Sequence, residues 1–205
     1  MKTVLRLLGV LVVLVLLGLL FIFSGVYDVA ANSPDTGLVQ WVLSTTQARS
    51  VHRAYEALEG KVRVPNLDDP KLIQAGLVHY HEMCVTCHGA PGVKISEIGQ
   101  GLNPTPPELA SEGADEPLET YWIVKNGIKM TGMPSFGVTH TDEEIWAIVA
   151  FLNRMPKLSS QEYQAMARQA GLGQPGEEPG GTPGQAQPSG GHHHTHPPGT
   201  PPHRD

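Results

Sequence analysis

Cys84-Val85-Thr86-Cys87-His88 holds both cysteines of a 205-residue chain, and its reading decides how the rest must fold. Two thiols three residues apart, followed at once by a histidine, form C-x-x-C-H, the attachment sequence for c-type haem. The spacing has a physical basis. Thiols one turn apart at the end of a helix reach the two vinyl groups on one edge of the porphyrin, and the adjoining imidazole projects toward the iron as proximal ligand. Three other chemistries use paired cysteines. A redox-active CxxC requires a thioredoxin-like βαβ context, and no alternating strand pattern occurs anywhere in the chain. A disulfide across two intervening residues closes too small a loop to stabilise much. A zinc site would have to recruit His79 or His81, and the usual paired spacing is missing.

Upstream of the motif, Asp69-Pro70 reads as an N-cap followed by a first-turn proline, which predicts a helix from about residue 70 into Met83. Leu72, Ile73, Gly76, Leu77 and Tyr80 give it one apolar face. Downstream, a Gly/Pro-rich loop is predicted from Gly89 to about Ala114, including Pro104-Thr105-Pro106-Pro107. A helix over Pro117–Asn126 follows, with Asp115 near its start and Gly127 as its stop. Thr141-Asp142-Glu143-Glu144 is a capping box that opens an amphipathic helix ended by Pro156, with Ile145, Trp146, Ile148, Val149 and Leu152 apolar. Ser159-Ser160-Gln161-Glu162 is a second capping box and opens a short last helix. The compact domain is therefore all-α, about 90 residues, and too small to own a large core. With aromatics at 6% of the chain, something other than side chains should fill its centre.

Iron in an electron carrier takes a sixth ligand, and a methionine thioether raises the reduction potential relative to a second histidine. Lys129-Met130-Thr131-Gly132-Met133-Pro134 offers two candidates. Met133 lies between glycine and proline, which favour an irregular, rigid loop able to hold a sulfur against a porphyrin face. Met130 is the alternative, and most methionines are core fillers.

The two ends are opposite in character. Leu7 to Tyr27 is a run of 21 uncharged residues, nearly all Leu, Val, Ile, Phe or Gly. As a helix it is about 30 Å long, the thickness of a hydrocarbon core. Lys2 and Arg6 precede it, so the N-terminus is expected to stay cytoplasmic and the rest of the chain to be exported. The rival is a cleaved signal peptide with Val29-Ala30-Ala31 at its cleavage site; the run exceeds the ~7–15 residues of a signal h-region, which favours a retained anchor. At the other end, Gly171 to Asp205 holds 9 of 23 glycines and 8 of 18 prolines, with no Val, Ile, Phe, Trp or Tyr. Such a segment is expected to be disordered. It carries His192-His193-His194-Thr195-His196 and His203, a set able to chelate copper, nickel or zinc, or simply a soluble low-complexity tail. Between the anchor and the domain, Trp41, Thr45, Ala48, Val51, Tyr55 and Leu58 mark an amphipathic helix that either lies on a membrane, docks on a partner, or packs on the adjoining domain. The expected organisation is thus 1–27 anchor, 28–69 connecting region, 70–170 haem domain and 171–205 tail.

Charge sets a further limit. With 14 basic against 20 acidic residues the net charge is −6, which argues against nucleic acid as a partner. Glu108, Glu112, Asp115, Glu116 and Glu119 either steer a basic partner or form a solvated surface. The mean hydropathy of −0.15 averages three dissimilar segments.

Over about residues 70–156 the chain resembles the class I monohaem cytochrome c family, and within it the membrane-anchored bacterial branch. The resemblance rests on Cys84-x-x-Cys87-His88-Gly89, on Gly127 ahead of Gly132-Met133-Pro134, and on a last helix with Trp146 and Phe151. It implies that Gly76 and Tyr80 of the first helix cross Phe151 or Trp146 of the last. It also implies that Pro107, in Pro107-Glu108-Leu109, offers its carbonyl to the Nδ1–H of the proximal histidine. One covalent haem c is then held by Cys84 and Cys87 and ligated by His88 and Met133. The expected function is single-electron transfer between respiratory-chain donor and acceptor proteins, without bond-making catalysis. The expected place is the periplasmic face of a bacterial inner membrane, with a single span over residues 7–27. Two alternatives are a permanently bound cytochrome subunit of a dehydrogenase or oxidase, and a haem-containing metal-handling or sensing protein that uses its histidine tail.

Overall fold

Two helices built from unlike sequence signals form the centre of the domain. In the computed structural model, which describes residues 1–113 and 116–173, Asp69 accepts a hydrogen bond from the Lys71 amide and Pro70 occupies the first turn of a helix over Pro70–Met83. Thr141 and Glu144 cap each other reciprocally to open a helix over Asp142–Arg154. In chain order the helices are α1 (Lys2–Ser24), α2 (Gly37–Glu56), α3 (Pro70–Met83), α4 (Val85–His88), α5 (Glu97–Gln100), α6 (Leu109–Glu112), α7 (Pro117–Asn126), α8 (Asp142–Arg154) and α9 (Ser160–Gln169). Short 3₁₀ turns lie at Phe136–Val138 and Met155–Lys157. Among the described residues there is no strand, only an isolated bridge between Ala90 and Val93. The domain is all-α.

α3 and α8 cross at Gly76. A Cβ there would overlap the Ala147 carbonyl oxygen and lie 2.9 Å from the Phe151 Cβ, so the crossing requires glycine. One helical turn on, the Tyr80 and Phe151 rings meet at 5.3 Å. Of the two aromatic candidates on α8, Phe151 therefore faces the crossing, while Trp146 stacks on Tyr121 of α7 at 4.4 Å. Leu77, Ile145, Ile148, Val149 and Phe151 are fully buried around the crossing, each contributing roughly 1.5–3 kcal/mol. α9 opens with the Ser159/Glu162 capping box and packs on α3 through Tyr163. The His81 ring links the two helices. Its Nε2–H donates to the Gly173 carbonyl at 3.0 Å, which leaves Nδ1 to accept from the Tyr163 hydroxyl at 2.8 Å.

Two segments differ from the sequence expectation. The Gly89–Ala114 stretch is broken by α5 and α6, each a single turn. α2 begins earlier than its apolar stripe suggests, because Thr36 caps it. Only the C-terminal half of that stripe packs: Val51 is buried, Tyr55 and Leu58 are half-buried, and α2 lies against α7. The N-terminal half, with Leu38, Trp41, Val42 and Leu43, is exposed. α1 is long and apolar enough to cross a membrane, and all of its residues are exposed. Asp115 and the histidine-rich stretch His192–His203 lie outside the described residues.

Candidate haem site

The two thiols sit where one helix ends and a single turn begins. Cys84 caps α3, its amide still bonded to the Tyr80 carbonyl, and α4 follows at once. The amides of Cys87 and His88 both donate to the Cys84 carbonyl, at 3.1 and 2.9 Å. This turn sets Cys84, Cys87 and His88 in sequence along one short element. Gly89 stops it with φ +65°, and a Cβ there would lie 2.8 Å from the Val93 carbonyl oxygen. The buried Tyr80 hydroxyl donates to the Gly89 carbonyl at 2.7 Å and so clamps the end of the motif to α3. Nothing in the sequence marks that bond except the i, i+9 spacing.

Both cysteines are free thiols, which removes the short-loop disulfide. Burial pushes the Cys84 thiol up to about 12, so it stays neutral in the protein as it stands. Nor do the two histidines open to the zinc alternative gather on the thiols. His81 is committed to Tyr163 and Gly173, His79 packs edge-on against His140 at 5.4 Å, and no group of three metal-binding side chains gathers among the described residues.

His88 is oriented from behind. A carbonyl only accepts, so the 3.0 Å contact to Pro107 is donated by Nδ1–H, and the neutral ring keeps its lone pair on Nε2. The Nε2 atom has no hydrogen-bond partner among the described residues. Burial lowers the imidazole's pKa, partly opposed by the Pro107 bond, and so favours the neutral ring that metal ligation requires. The Pro107 carbonyl also accepts from the Leu109 amide at 3.1 Å. α6 anchors this loop against the Met155–Lys157 turn, where Gly113 (φ +68°) leaves room for the Pro156 ring. α5 holds the loop from the other side. The Ser96 amide donates to the Thr86 carbonyl, and Gly99 lies so close to Cys87 that a Cβ would meet its Cα at 3.0 Å. Ser96 as N-cap and Gly99 were readable as turn signals, but their contact with the cysteine motif was not.

The two methionines part company. Met130 has φ +63° and is 92% exposed. Met133 is half-buried against the core. Its loop is closed by the Ile128 amide on the Met133 carbonyl at 3.1 Å, the Thr131 hydroxyl on the Ile128 carbonyl at 2.8 Å, and the Met133 amide on the Thr131 hydroxyl at 3.1 Å. Gly127 (φ +64°) lies under Pro134, and Gly132 lies against Leu102, each too close for a Cβ.

Two free thiols on one turn, an imidazole with Nδ1 occupied and Nε2 bare, and a half-buried thioether form a donor set that fits a covalent haem. Residues 71–152 match the family model described as cytochrome C oxidase, cbb3-type, subunit III, a span that begins in α3 and ends in α8. No curated protein matches the chain at a significant level.

Proposed function

Residues 71–152 are a class I monohaem c-type cytochrome domain that binds one covalent haem c, and from that premise we propose that the chain is a membrane-tethered, periplasm-facing carrier of single electrons. Haem c supplies the one-electron iron couple. Cys84 and Cys87 would hold it by thioether bonds, and His88 Nε2 and Met133 Sδ would supply the iron's two protein ligands. Pro107 fixes the ring plane and tautomer of His88 through the 3.0 Å bond, which raises the basicity of Nε2. The single observation that carries this assignment is that bond, because it leaves only Nε2 available next to two free thiols. The buried wall of α3 and α8 keeps water from the site and so favours a raised potential. An iron held by two protein ligands exchanges electrons without bond-making, and on that ground the chain is read as a carrier.

Lys2 and Arg6 before the α1 span support a cytoplasmic N-terminus and a periplasmic haem domain. Tethering confines the carrier near its redox partners and raises their effective concentration. A second reading is favoured by the matched family, which is described as an oxidase subunit: the chain is then a fixed subunit of a membrane oxidase rather than a free carrier. Purification in mild detergent separates the two, since a carrier emerges as a lone polypeptide and a subunit emerges with its complex. The axial assignment is tested by substitution. Met133→Ala should abolish the sulfur-to-iron absorption band at the red end of the visible spectrum and lower the reduction potential, while Met130→Ala leaves both intact. Loss of the band in Met130→Ala alone would show the assignment to be wrong.

A further inference from the structure

The exposed half of α2 begins close in sequence to the end of the membrane helix. α1 ends at Ser24 and α2 begins at Gly37, yet the intervening chain folds back on itself. The Tyr27 hydroxyl donates to Asp35 at 2.9 Å, and the Tyr27 ring meets Phe21 in the last turn of α1 at 6.4 Å. Asp28 accepts from the Ala30 amide and the Ser33 hydroxyl, which closes the loop between them. Asp35 is therefore held beside the end of α1, and Thr36 caps α2 at the next residue. At about 1.5 Å per residue, Trp41 lies no more than about 6 Å along the axis from Gly37. The headgroup layer on each side of a bilayer is roughly 5–7 Å deep. An α2 that leaves this point close to the membrane plane keeps its first turn within that layer.

The side chains suit that position. From Thr36 to Ala48 no residue is charged. Leu38 is 71% exposed and Trp41 63%, and Val42 and Leu43 are also exposed. A phenol and an indole soon after an apolar span suit an interfacial aromatic belt. Arg49, His52 and Arg53 follow only where the helix nears the part that packs on α7.

We propose that Leu38, Trp41 and Val42, with Tyr27, form an interfacial foot that lies in the lipid headgroup region of the bilayer crossed by α1. The occupant of this apolar face is lipid. α2 is then a strut with one end in the membrane surface and the other fixed to the haem domain through Val51, Tyr55 and Leu58. The fourteen residues from Leu38 to Val51 span about 20 Å, so the domain is held at a set height instead of swinging on a flexible linker. This inference rests on α1 being a retained anchor.

The test uses the full-length holoprotein in phosphatidylethanolamine–phosphatidylglycerol vesicles. Cys84 and Cys87 are consumed by thioether bonds, so Leu38→Cys or Val42→Cys supplies the single thiol for a nitroxide label. An unchanged haem spectrum verifies the fold of each variant. Collision with oxygen should exceed collision with a water-soluble nickel chelate several-fold at both sites, against the reverse at a Glu143→Cys control, and Trp41→Ser should narrow the difference. Labels as open to the nickel chelate as the control overturn the foot while leaving the anchor intact. Labels shielded from both reagents identify a protein occupant and overturn it as well. Release of the chain by an alkaline carbonate wash overturns the anchor reading, and this inference with it.

Discussion

Substituting alanine for Gly76 sets two effects of opposite sign against each other. In an ordinary helix interior Gly→Ala is stabilising by roughly 0.5–1 kcal/mol, because the unfolded chain has less freedom to lose. At Gly76 the new Cβ would lie 2.5 Å from the Ala147 carbonyl carbon and 2.9 Å from the Phe151 Cβ. Carbon atoms in contact prefer about 3.5–4.0 Å, so α3 and α8 would have to separate by on the order of 1 Å. A gap of that size forfeits a quarter to a half of the dispersion energy of the facing contacts, here those of Leu77, Ile148, Val149 and Phe151. Overpacking typically costs about 1–3 kcal/mol, and a rigid backbone partner places this site at the upper end. Against the propensity gain, the expected net loss is about 2 kcal/mol. Guanidinium unfolding of the holoprotein, followed by far-ultraviolet circular dichroism and by haem absorption, measures it. Ala75→Gly on the exposed face of the same turn is the control and should cost only about 1 kcal/mol. A Gly76→Ala protein as stable as the parent, or more so, would mean that the helices do not meet there, and would refute the crossing as described.

Two further outcomes follow from the hydrogen bonds. Tyr80→Phe deletes the buried donor to the Gly89 carbonyl and should destabilise the holoprotein by about 1–3 kcal/mol without changing the side chain's packing; a change under about 0.5 kcal/mol in the same unfolding assay would count against the clamp. Glu144 accepts from the Thr141 amide and hydroxyl, which hold its carboxyl below the ordinary range. A carboxylate with a depressed folded-state pKa contributes stability above about pH 4.3 and loses it as pH falls through the lower folded value. Glu144→Gln keeps an acceptor at the cap but cannot titrate, so its denaturation midpoint should fall less steeply than the parent's between pH 5 and pH 3; parallel profiles would remove Glu144 from the acid response.

Much of the site was legible because its signals are local. The capping boxes at Thr141 and Ser159 and the Asp69-Pro70 start need only neighbours within a turn, and each opens its helix at the residue the sequence indicates. The C-x-x-C-H spacing is a constraint within one turn, so it identified the cofactor without knowledge of the fold. What escaped is long-range. The short turns α5 and α6 interrupt a stretch that reads as loop, because their stability comes from contact with Cys87 and with the Met155–Lys157 turn. His81 reads as a spare ligand on a helix, and only the approach of α9 commits both its nitrogens.

The sequence by itself determined the helical class, the cofactor, and the presence of a segment able to cross a membrane, since each depends on composition or on spacing along a few residues. Tertiary structure decided the questions that turn on which surfaces meet. It put Phe151 rather than Trp146 at the Gly76 crossing, left Met130 in solvent while drawing Met133 against the core, and brought the Pro107 carbonyl to His88 across 19 residues. It also divided the α2 stripe into a packed half and a bare half. The physical reason is common to all four. An apolar or polar pattern states what a residue will accept as a neighbour, and the fold alone supplies the neighbour.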